Sequence, residues 1–393
     1  MAELWTCNQG VEADETLPYA EFWMGAHVGA PSHVDGTADT TLKDWIDSHP
    51  ESVGQQVPTK LQGWKRALPF LLKVLSVGTA LSIQAHPDAA LAVQLRQRRP
   101  DAYPDDKPKP EMAVALRDFE ALCGFRNATS VAETSREVPE LEQMLGGPQA
   151  TQALATGHEK ALRDAFRHLM TCEPELAKQE AQKLVDRLEG ERETRTLCPE
   201  EEWALKLADQ YPGDVGIFCV FVLNLLRLKP GEAVALGANE PHAYLQGEIV
   251  EIMAASDNVV RAGLTPKFRD TEVLCDMLTY RQGTPEVMQG VEEDGVIVYR
   301  PPFPEFELHW IAFEGAGSKT IVADRGPSIF LVFEGTCDFR VDKPALEDAD
   351  LLLNVEGSKG SVLFLPAHTQ VHLRSHGRGA SIFQAKCNEQ DYE

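Results

Sequence analysis

The pattern of hydrophobic and polar positions divides this chain into two kinds of segment. From about residue 18 to 128, short runs alternate between apolar and polar side chains and are separated by Gly, Pro and Asn turns, which is typical of antiparallel β-strands. The same pattern returns from about residue 284 to the C-terminus, with apolar runs at 295–299, 329–333 and 362–365. The alternation therefore predicts a mainly β protein.

Between these regions, apolar residues repeat every three to four positions, as on one face of a helix. The repeats are Leu162, Phe166 and Leu169; Ala177, Ala181, Leu184 and Leu188; and Ala204, Leu207, Ala208 and Tyr211. Ser130 followed by Glu133 has the spacing of a capping box at a helix start. We predict a helical insertion at 129–212, β segments at 1–128 and 213–283 on either side of it, and a C-terminal β domain at 284–393. Strands should resume at Gly216, and the apolar run Ile217–Leu226 is interpreted as a core strand.

One internal repeat links the two β regions. The segment 231–238 resembles 360–367, and at this spacing His242 corresponds to Val371. The second copy would keep the strand and lose the histidine.

Composition sets limits on the function. The chain has 393 residues, 43% hydrophobic and 25% charged, and a formal net charge of −24. We expect a cytoplasmic globular protein that binds neither nucleic acid nor membranes, since phosphate backbones need a basic surface and no apolar run is long enough to cross a bilayer. The eight Cys form no CxxC pair, which favours reduced, buried thiols.

Four side chains indicate metal chemistry. In the predicted strand 81–88, Gln84 and His86 point to one face. Glu111 follows a Pro-rich turn and begins the next apolar run, and His242 lies far downstream. Taken singly, these residues are a core pair, a turn carboxylate and a loop histidine. Together, two imidazoles, a carboxylate and an amide suit a catalytic zinc ion.

Four segments in order, SIQAHPD, KPEMA, NEPHAYLQGE and SDNVVRAGLTPK, resemble the type I phosphomannose isomerases. The resemblance runs from about residue 18 to 279 and continues more weakly to the C-terminus. It implies two cupin-like (jelly-roll) β domains, of which only the first is catalytic, with an α-helical domain inserted. It also implies one Zn²⁺ per chain, held by Gln84, His86, Glu111 and His242.

The resemblance further implies a phosphosugar substrate and an aldose–ketose isomerisation, in which mannose 6-phosphate and fructose 6-phosphate interconvert through a cis-enediol(ate). Such a reaction would feed GDP-mannose synthesis and mannose catabolism. We expect the protein to act as a monomer.

Several further residues receive roles from the same comparison. Arg261 matches the arginine that the family treats as catalytic, and Lys267 is a further candidate, although either residue could lie on the surface. Glu251 alternates with apolar neighbours, so it is either a base whose pKa burial raises or a structural salt bridge. Candidate substrate-binding residues are Ser82, Lys109 and Tyr244. Glu21 is expected to support the site from outside the ligand residues.

The N-terminus departs from the family pattern. The usual opening Tyr-x-Trp-Gly strand has no match in 1–10, and we expect residues 1–16 to be poorly ordered or loosely packed. This departure keeps open a rival hypothesis, a non-catalytic cupin-like sugar-binding or regulatory protein. A second rival is a metal-dependent cupin dioxygenase, which the Gln ligand and the AGLTPK segment disfavour.

Overall fold

The structure is a computed structural model that describes residues 1–14, 16–36, 39–54, 61, 64, 67–321, 325–343 and 354–388. In this part of the chain, the strands form two antiparallel β-sheets. The first sheet contains β1 (Glu21–Met24), β2 (Phe70–Val77), β3 (Ile83–Ala85), β4 (Glu111–Ala115), β5 (Phe119–Phe125), β6 (Leu223–Leu228), β7 (Glu232–Leu236), β8 (His242–Ala254), β9 (Val260–Gly263) and β10 (Met288–Gln289). The second contains β11 (Val291–Glu293), β12 (Val296–Tyr299), β13 (Glu307–Phe313), β14 (Gly317–Ile321), β15 (Ser328–Lys343), β16 (Asn354–Ser358), β17 (Val362–Leu365) and β18 (Gln370–Lys386).

Strand β8 organises the first sheet, because it pairs with four other strands. Its first half pairs with β3 and β5, and its second half pairs with β2 and β4. The change of partners falls at Gly247, whose φ is 120° and where a Cβ would lie 2.6 Å from the backbone oxygen of Asp118. Only glycine fits this close approach. The strand thereby curls the sheet, and residues of both halves reach one interior.

The α-helices of the described residues are α1 (Ala2–Gln9), α2 (Leu42–Ser48), α3 (Ala89–Arg98), α4 (Ala128–Glu137), α5 (Pro139–Met144), α6 (Pro148–Leu154), α7 (Glu159–Met170), α8 (Pro174–Glu191), α9 (Pro199–Gln210) and α10 (Thr271–Met277). Helices α4 to α9 follow one another directly and form the insertion. The predicted apolar faces are buried in one core, in which Leu162, Phe166, Leu184 and Leu207 pack near Ile83 and Ala85 of β3. The insertion therefore supports the back of the strand that carries Gln84.

The predicted internal repeat corresponds to matching strands. Segment 231–238 contains β7 and segment 360–367 contains β17, and each is followed by the long strand of its sheet, β8 or β18. His242 is the first residue of β8, whereas Val371 is buried in the hydrophobic core of the second sheet. The C-terminal β region is as expected.

Three local expectations need correction. Val215–Phe221 forms a 3₁₀ helix and not a strand, and β6 begins only at Leu223. The Asp214 side chain accepts the Gly216 N–H and starts this turn, and a segment buried on every side carries no period that sequence can reveal. Helix α4 begins at Ala128 with Asn127 as N-cap, so Ser130 is inside the helix. Strand β10 still pairs with β7 of the first sheet, beyond the expected boundary at 283.

The N-terminal segment also differs from expectation. Residues 1–14 and 16–20 contain no strand, but 2–9 form helix α1, whose Leu4 is 3% exposed in the core between the two sheets. The Asn8 side chain donates to the backbone oxygen of Gly360 at 2.9 Å. The segment is therefore packed against the C-terminal domain. Within the described part of the chain, no helix has the length and apolar character needed to cross a bilayer.

Candidate metal centre

Strand β3 and the residue after it carry the first two candidate ligands, Gln84 and His86. Ile83 and Ala85 are fully buried against the helical insertion, so Gln84 faces the other side of the strand. The regular strand is only three residues long and is shorter than predicted, but His86 follows it directly and is also fully buried.

The sheet register places residues from distant segments side by side. Gln84 lies opposite His242 on β8 and opposite Arg261 on β9. Residues directly opposite in an antiparallel pair share a face, with Cβ atoms about 4.5–5.5 Å apart. The pairing of β3 with β8 and β9 thus brings together residues that are more than 150 positions apart in the sequence.

Glu111 completes the cluster from β4. Its Oε1 lies 3.2 Å from His86 Nε2, and its Oε2 lies 3.4 Å from His242 Nε2. All three side chains are at most 2% exposed, and candidate ligand atoms of the three lie within 4.8 Å of one another. Among the described residues, this is the group of His, Cys, Asp and Glu side chains that meets the geometry of a metal site.

The cluster fits a cation on its own geometry. His86 Nε2, His242 Nε2 and Glu111 Oε2 are buried and make no hydrogen bond with the protein. Such atoms are costly to bury without a partner. Two imidazole nitrogens and a carboxylate oxygen converging in one space form a donor set that zinc prefers.

The protonation states also suit a metal. Burial lowers the pKa of His86 to about 4, against the attraction of Glu111. Burial alone would raise the pKa of Glu111, but the positive charge of Lys109, together with the interactions with His86 and His242, outweighs it and holds that pKa well below its usual value. A neutral imidazole beside an ionised carboxylate is the form in which both bind metal.

Backbone carbonyls orient both imidazoles. His86 Nδ1 lies 2.7 Å from the oxygen of Asn258, and His242 Nδ1 lies 3.1 Å from the oxygen of Glu240. A carbonyl can only accept, so each Nδ1 carries the proton and each Nε2 presents its lone pair toward Glu111.

Cations surround one side of this cluster. Lys109 is 8% exposed and its Nζ lies 3.1 Å from Glu111 Oε1, so it is a buried neighbour of the cluster and not a surface lysine. Arg261 is half-buried, and burial lowers the pKa of its guanidinium. Lys267 is exposed in the turn after β9, where its backbone N–H donates to the Thr265 hydroxyl at 3.1 Å.

The turn between Arg261 and Lys267 is fixed by Asp214, the N-cap of the 3₁₀ helix Val215–Phe221. The Asp214 Oδ1 accepts the N–H of Leu264 at 2.8 Å, and Leu264 has a positive φ of 53°. A left-handed conformation is unfavourable for leucine. The carboxylate therefore holds a strained turn next to the candidate catalytic arginine.

A second polar group lies along β8 on the same face as Glu111. Glu251 is 3% exposed; its Oε1 accepts the hydroxyl of Tyr244 at 2.8 Å, and its Oε2 lies 3.1 Å from Lys73 Nζ. Burial and the neighbouring Glu251 raise the pKa of Tyr244 well above its ordinary value, so its hydroxyl is a donor. Glu251 is held by both neighbours.

Sequence reasoning missed Lys73. Burial disfavours its charge, but Glu251, Glu21 and Glu111 outweigh this and raise the pKa of Lys73. Its Nζ lies 4.4 Å from the centroid of the Trp23 ring and 3.8 Å from Glu21 Oε2. Glu21, which is expected to support the site, therefore contacts the Lys73 ammonium. A lysine inside the apolar run 70–77 was the available signal, because lysine is almost never buried without a partner.

Ser82 lies directly before β3 and is partly exposed, in the segment that leads to Gln84 and His86. Its role as a substrate-binding residue stays a prediction, as does the ligand role of Gln84. The structure brings Gln84, His86, Glu111 and His242 to one place, with Lys109 and Arg261 beside them.

Comparison with known proteins identifies the family. The family models described as phosphomannose isomerase type I, catalytic domain and helical insertion domain, match residues 1–128 and 131–223. Mannose-6-phosphate isomerase 1 of Arabidopsis thaliana is 43% identical over 382 residues, which cover 95% of this chain and 86% of the plant protein. The chain belongs to the type I phosphomannose isomerase family. Mannose-6-phosphate isomerase of Homo sapiens is 38% identical over 95% of this chain and 90% of its own.

Solved structures support the same fold. A phosphomannose isomerase from Salmonella typhimurium superposes with a TM-score of 0.82 at 24% identity, covering 98% of this chain and 94% of that chain. A zinc-bound mannose 6-phosphate isomerase gives a TM-score of 0.80 at 24% identity, with the same coverage of both chains. The chain therefore has the expected architecture, two cupin-like β domains with a helical insertion, and it is an enzyme of this family.

Proposed function

We propose that this protein interconverts mannose 6-phosphate and fructose 6-phosphate and holds one zinc ion through Gln84, His86, Glu111 and His242. The observation that carries the proposal is the buried His86–Glu111–His242 cluster, whose facing atoms lack hydrogen-bond partners, in a chain about 40% identical to curated mannose-6-phosphate isomerases. When bound, zinc supplies Lewis acidity and a fixed position for sugar oxygens.

The phosphosugar would be positioned by the cations near β9. Arg261 offers a planar fork that can bind phosphate or stabilise an enediolate, which an ammonium cannot reproduce. Lys267, on the exposed turn, and Ser82, before β3, are the proposed further contacts for the phosphate end. Arg261 and Lys267 would provide local positive charge within a chain whose formal net charge is −24.

The proton transfer needs a base close to C1 and C2 of the sugar. We assign this role to Glu251, which would take a proton from one carbon and return it to the other through a cis-enediolate. Lys73 offsets the negative charge of Glu251 at 3.1 Å, and Tyr244 fixes the orientation of its carboxylate at 2.8 Å. Lys109, beside Glu111, is proposed to contact substrate oxygens at the metal end of the site.

The wider setting follows from the same assignment. The protein would be a cytoplasmic monomer that supplies or consumes mannose 6-phosphate on the way to GDP-mannose or in mannose catabolism. Neither nucleic acid nor a membrane is a proposed partner.

The experiment combines metal content with turnover. The purified protein should contain close to one zinc per chain, convert mannose 6-phosphate, lose turnover after dialysis against a chelator and regain it with added zinc. Sugar phosphate binding without turnover in the zinc-loaded protein would support the non-catalytic rival. Oxygen consumption with iron would support the dioxygenase rival.

The base assignment has its own test. Glu251→Gln should lower kcat strongly while zinc content stays unchanged, since the amide keeps the size of the side chain and loses the basic oxygen. Turnover of fructose 6-phosphate in D₂O should place deuterium at C2 of the mannose 6-phosphate that the wild type forms. Normal kcat in the Gln variant would remove Glu251 from the proposed mechanism.

A further inference from the structure

The backbone carbonyls that orient the two histidines of the candidate metal centre lie in different segments of the chain. The carbonyl that holds His242 belongs to Glu240, two residues earlier in the same segment. The carbonyl that holds His86 belongs to Asn258, which is 172 positions away along the chain. The direction of His86 Nε2 toward Glu111 therefore depends on where the segment 256–258 lies.

That segment has no strand partner of its own, since β8 ends at Ala254 and β9 begins at Val260. The Asp105 carboxylate holds it instead. Asp105 Oδ2 accepts the N–H of Asp257 at 2.8 Å, and Oδ1 accepts the hydroxyl of Ser256 at 2.8 Å and the amide of Asn258 at 3.0 Å. Both oxygens of one carboxylate are used on three consecutive residues.

The Asn258 amide is fixed in orientation as well as in position. Its Nδ2 also donates to the backbone oxygens of Asp105 and Lys107, at 2.9 Å each. Three acceptors around one nitrogen decide which end of the amide faces them. Asn258 is fully buried, so no exchange with water competes with this arrangement.

We propose that Asp105 is a positioning residue of the metal centre, which acts through Asn258 to aim His86 Nε2 at the metal. The segment that starts at Asp105 continues into Lys109 and Glu111, and the segment it holds continues into Arg261. One carboxylate thus ties the support of His86 to the segments that carry Glu111 and the arginine. Outer partners of this kind set the orientation and basicity of a metal-bound imidazole.

This inference rests on the zinc site proposed above, and the test separates the two. The variant is Asp105→Asn, which keeps the shape of the side chain but places an NH₂ group against the N–H of Asp257 or the amide of Asn258. The matched control is Asp106→Asn, because Asp106 is the adjacent residue, is exposed, and pairs its carboxylate with Lys107 at 2.7 Å. Zinc affinity is measured by competition with a chelator in the metal-free full-length proteins.

The Asp105→Asn variant should bind zinc about 10–100-fold more weakly, the range typical for loss of an outer partner. Its visible spectrum with Co²⁺ in place of zinc should also shift, because the ligand geometry at the ion changes. With saturating zinc, much of the turnover should return and KM should change little. The Asp106→Asn variant should match the wild type in all three measurements.

The outcomes distinguish the possibilities. Wild-type zinc affinity and an unchanged Co²⁺ spectrum in Asp105→Asn would overturn the inference while leaving the zinc site intact. A wild-type protein without stoichiometric zinc would instead contradict the proposed site itself. If Asp105→Asn does not fold, Ser256→Ala removes one hydrogen bond to the same carboxylate and should weaken zinc binding several-fold; unchanged affinity there would equally overturn the inference.

Discussion

Each β domain of this protein contains a buried carboxylate next to a histidine, and the two pairs behave differently. In the first domain, Glu111 lies between the Nε2 atoms of His86 and His242. In the second, Glu307 is fully buried and its Oε1 lies 2.8 Å from His309 Nε2, two residues along β13. By residue type and burial alone, either pair could supply ligands to a metal ion.

The neighbours of the carboxylate make the difference. Both oxygens of Glu307 are engaged, because Arg300 Nε donates to Oε2 at 2.7 Å while His309 and Lys386 lie 2.8 and 3.8 Å from Oε1. Arg300 in turn pairs with Glu293. In the first domain, Glu111 Oε2 and both imidazole Nε2 atoms make no hydrogen bond with the protein.

The comparison teaches that a buried acid–histidine pair predicts a metal site only when the facing atoms are left without protein partners. A satisfied cluster such as the one around Glu307 contributes to domain structure, since its charges compensate each other. An unsatisfied cluster costs stability unless a ligand fills it, so it indicates function.

The largest effect should come from exchanging one histidine in each domain. His242→Ala removes a direct ligand, so we expect zinc occupancy to fall and turnover to drop by more than about 100-fold, beyond the usual cost of an outer partner. His309→Ala is the matched control and should keep turnover within about twofold of the wild type. Elemental analysis and steady-state kinetics measure both. Full zinc in the His242 variant would refute the ligand assignment.

The next effect concerns the arginine of β9. Arg261→Lys keeps the charge but loses the planar fork, and we expect a loss of roughly 2–4 kcal/mol of transition-state stabilisation in kcat/KM, as for one preorganised donor. Arg227 is the exposed residue of β6 and pairs with Glu120, so Arg227→Lys should leave kinetics unchanged. Near-normal kcat/KM in the Arg261 variant would remove it from the catalytic residues.

Zinc should also stabilise the fold through the first domain alone. A free zinc concentration of 100 times Kd should add about 2.7 kcal/mol to the free energy of unfolding, seen as a higher thermal midpoint than with chelator. His309→Ala should show the same zinc-induced rise from a lower starting midpoint. His242→Ala should show almost none. An equal rise in both variants would place the stabilising zinc elsewhere.

Much of this fold follows from local patterns in the sequence. The alternation predicts the β regions, and the buried faces of α7, α8 and α9 are those indicated by the repeats at Leu162, Ala177 and Ala204. The run Ile217–Leu226 was misassigned, because complete burial removes the periodic signal that separates strand from 3₁₀ helix. The N-terminal helix packs through a single buried side chain, Leu4, which is too little for a sequence pattern.

The site was less accessible to sequence reasoning than the fold. The ligand set depended on the family resemblance, because no spacing rule brings His86, Glu111 and His242 together without the strand register. The supports were missed altogether: Lys73 acts through charge across paired strands, and Asp105 acts through Asn258, 153 positions away. Interactions of this kind have no periodicity, so only the folded geometry reveals them.

The smallest predicted effect tests the satisfied cluster by pH. Burial opposes ionisation of Glu307, but His309, Arg300 and Lys386 outweigh it and lower the pKa of Glu307 from its ordinary value of 4.5. A lowered pKa adds stability that is fully present above about pH 4.5 and is lost as the pH falls through the folded value, at about 1.4 kcal/mol per pKa unit. Glu307→Gln should therefore be less stable than the wild type near neutral pH, and the difference in unfolding free energy should shrink on acidification. Urea unfolding from pH 7 down to the lowest pH at which both proteins remain folded measures this. As a control, Glu120→Gln at a partly exposed position of β5 is expected to stay within about 0.5 kcal/mol of the wild type. A difference that stays constant with pH would mean that Glu307 stabilises the domain through its shape and packing and not through its charge.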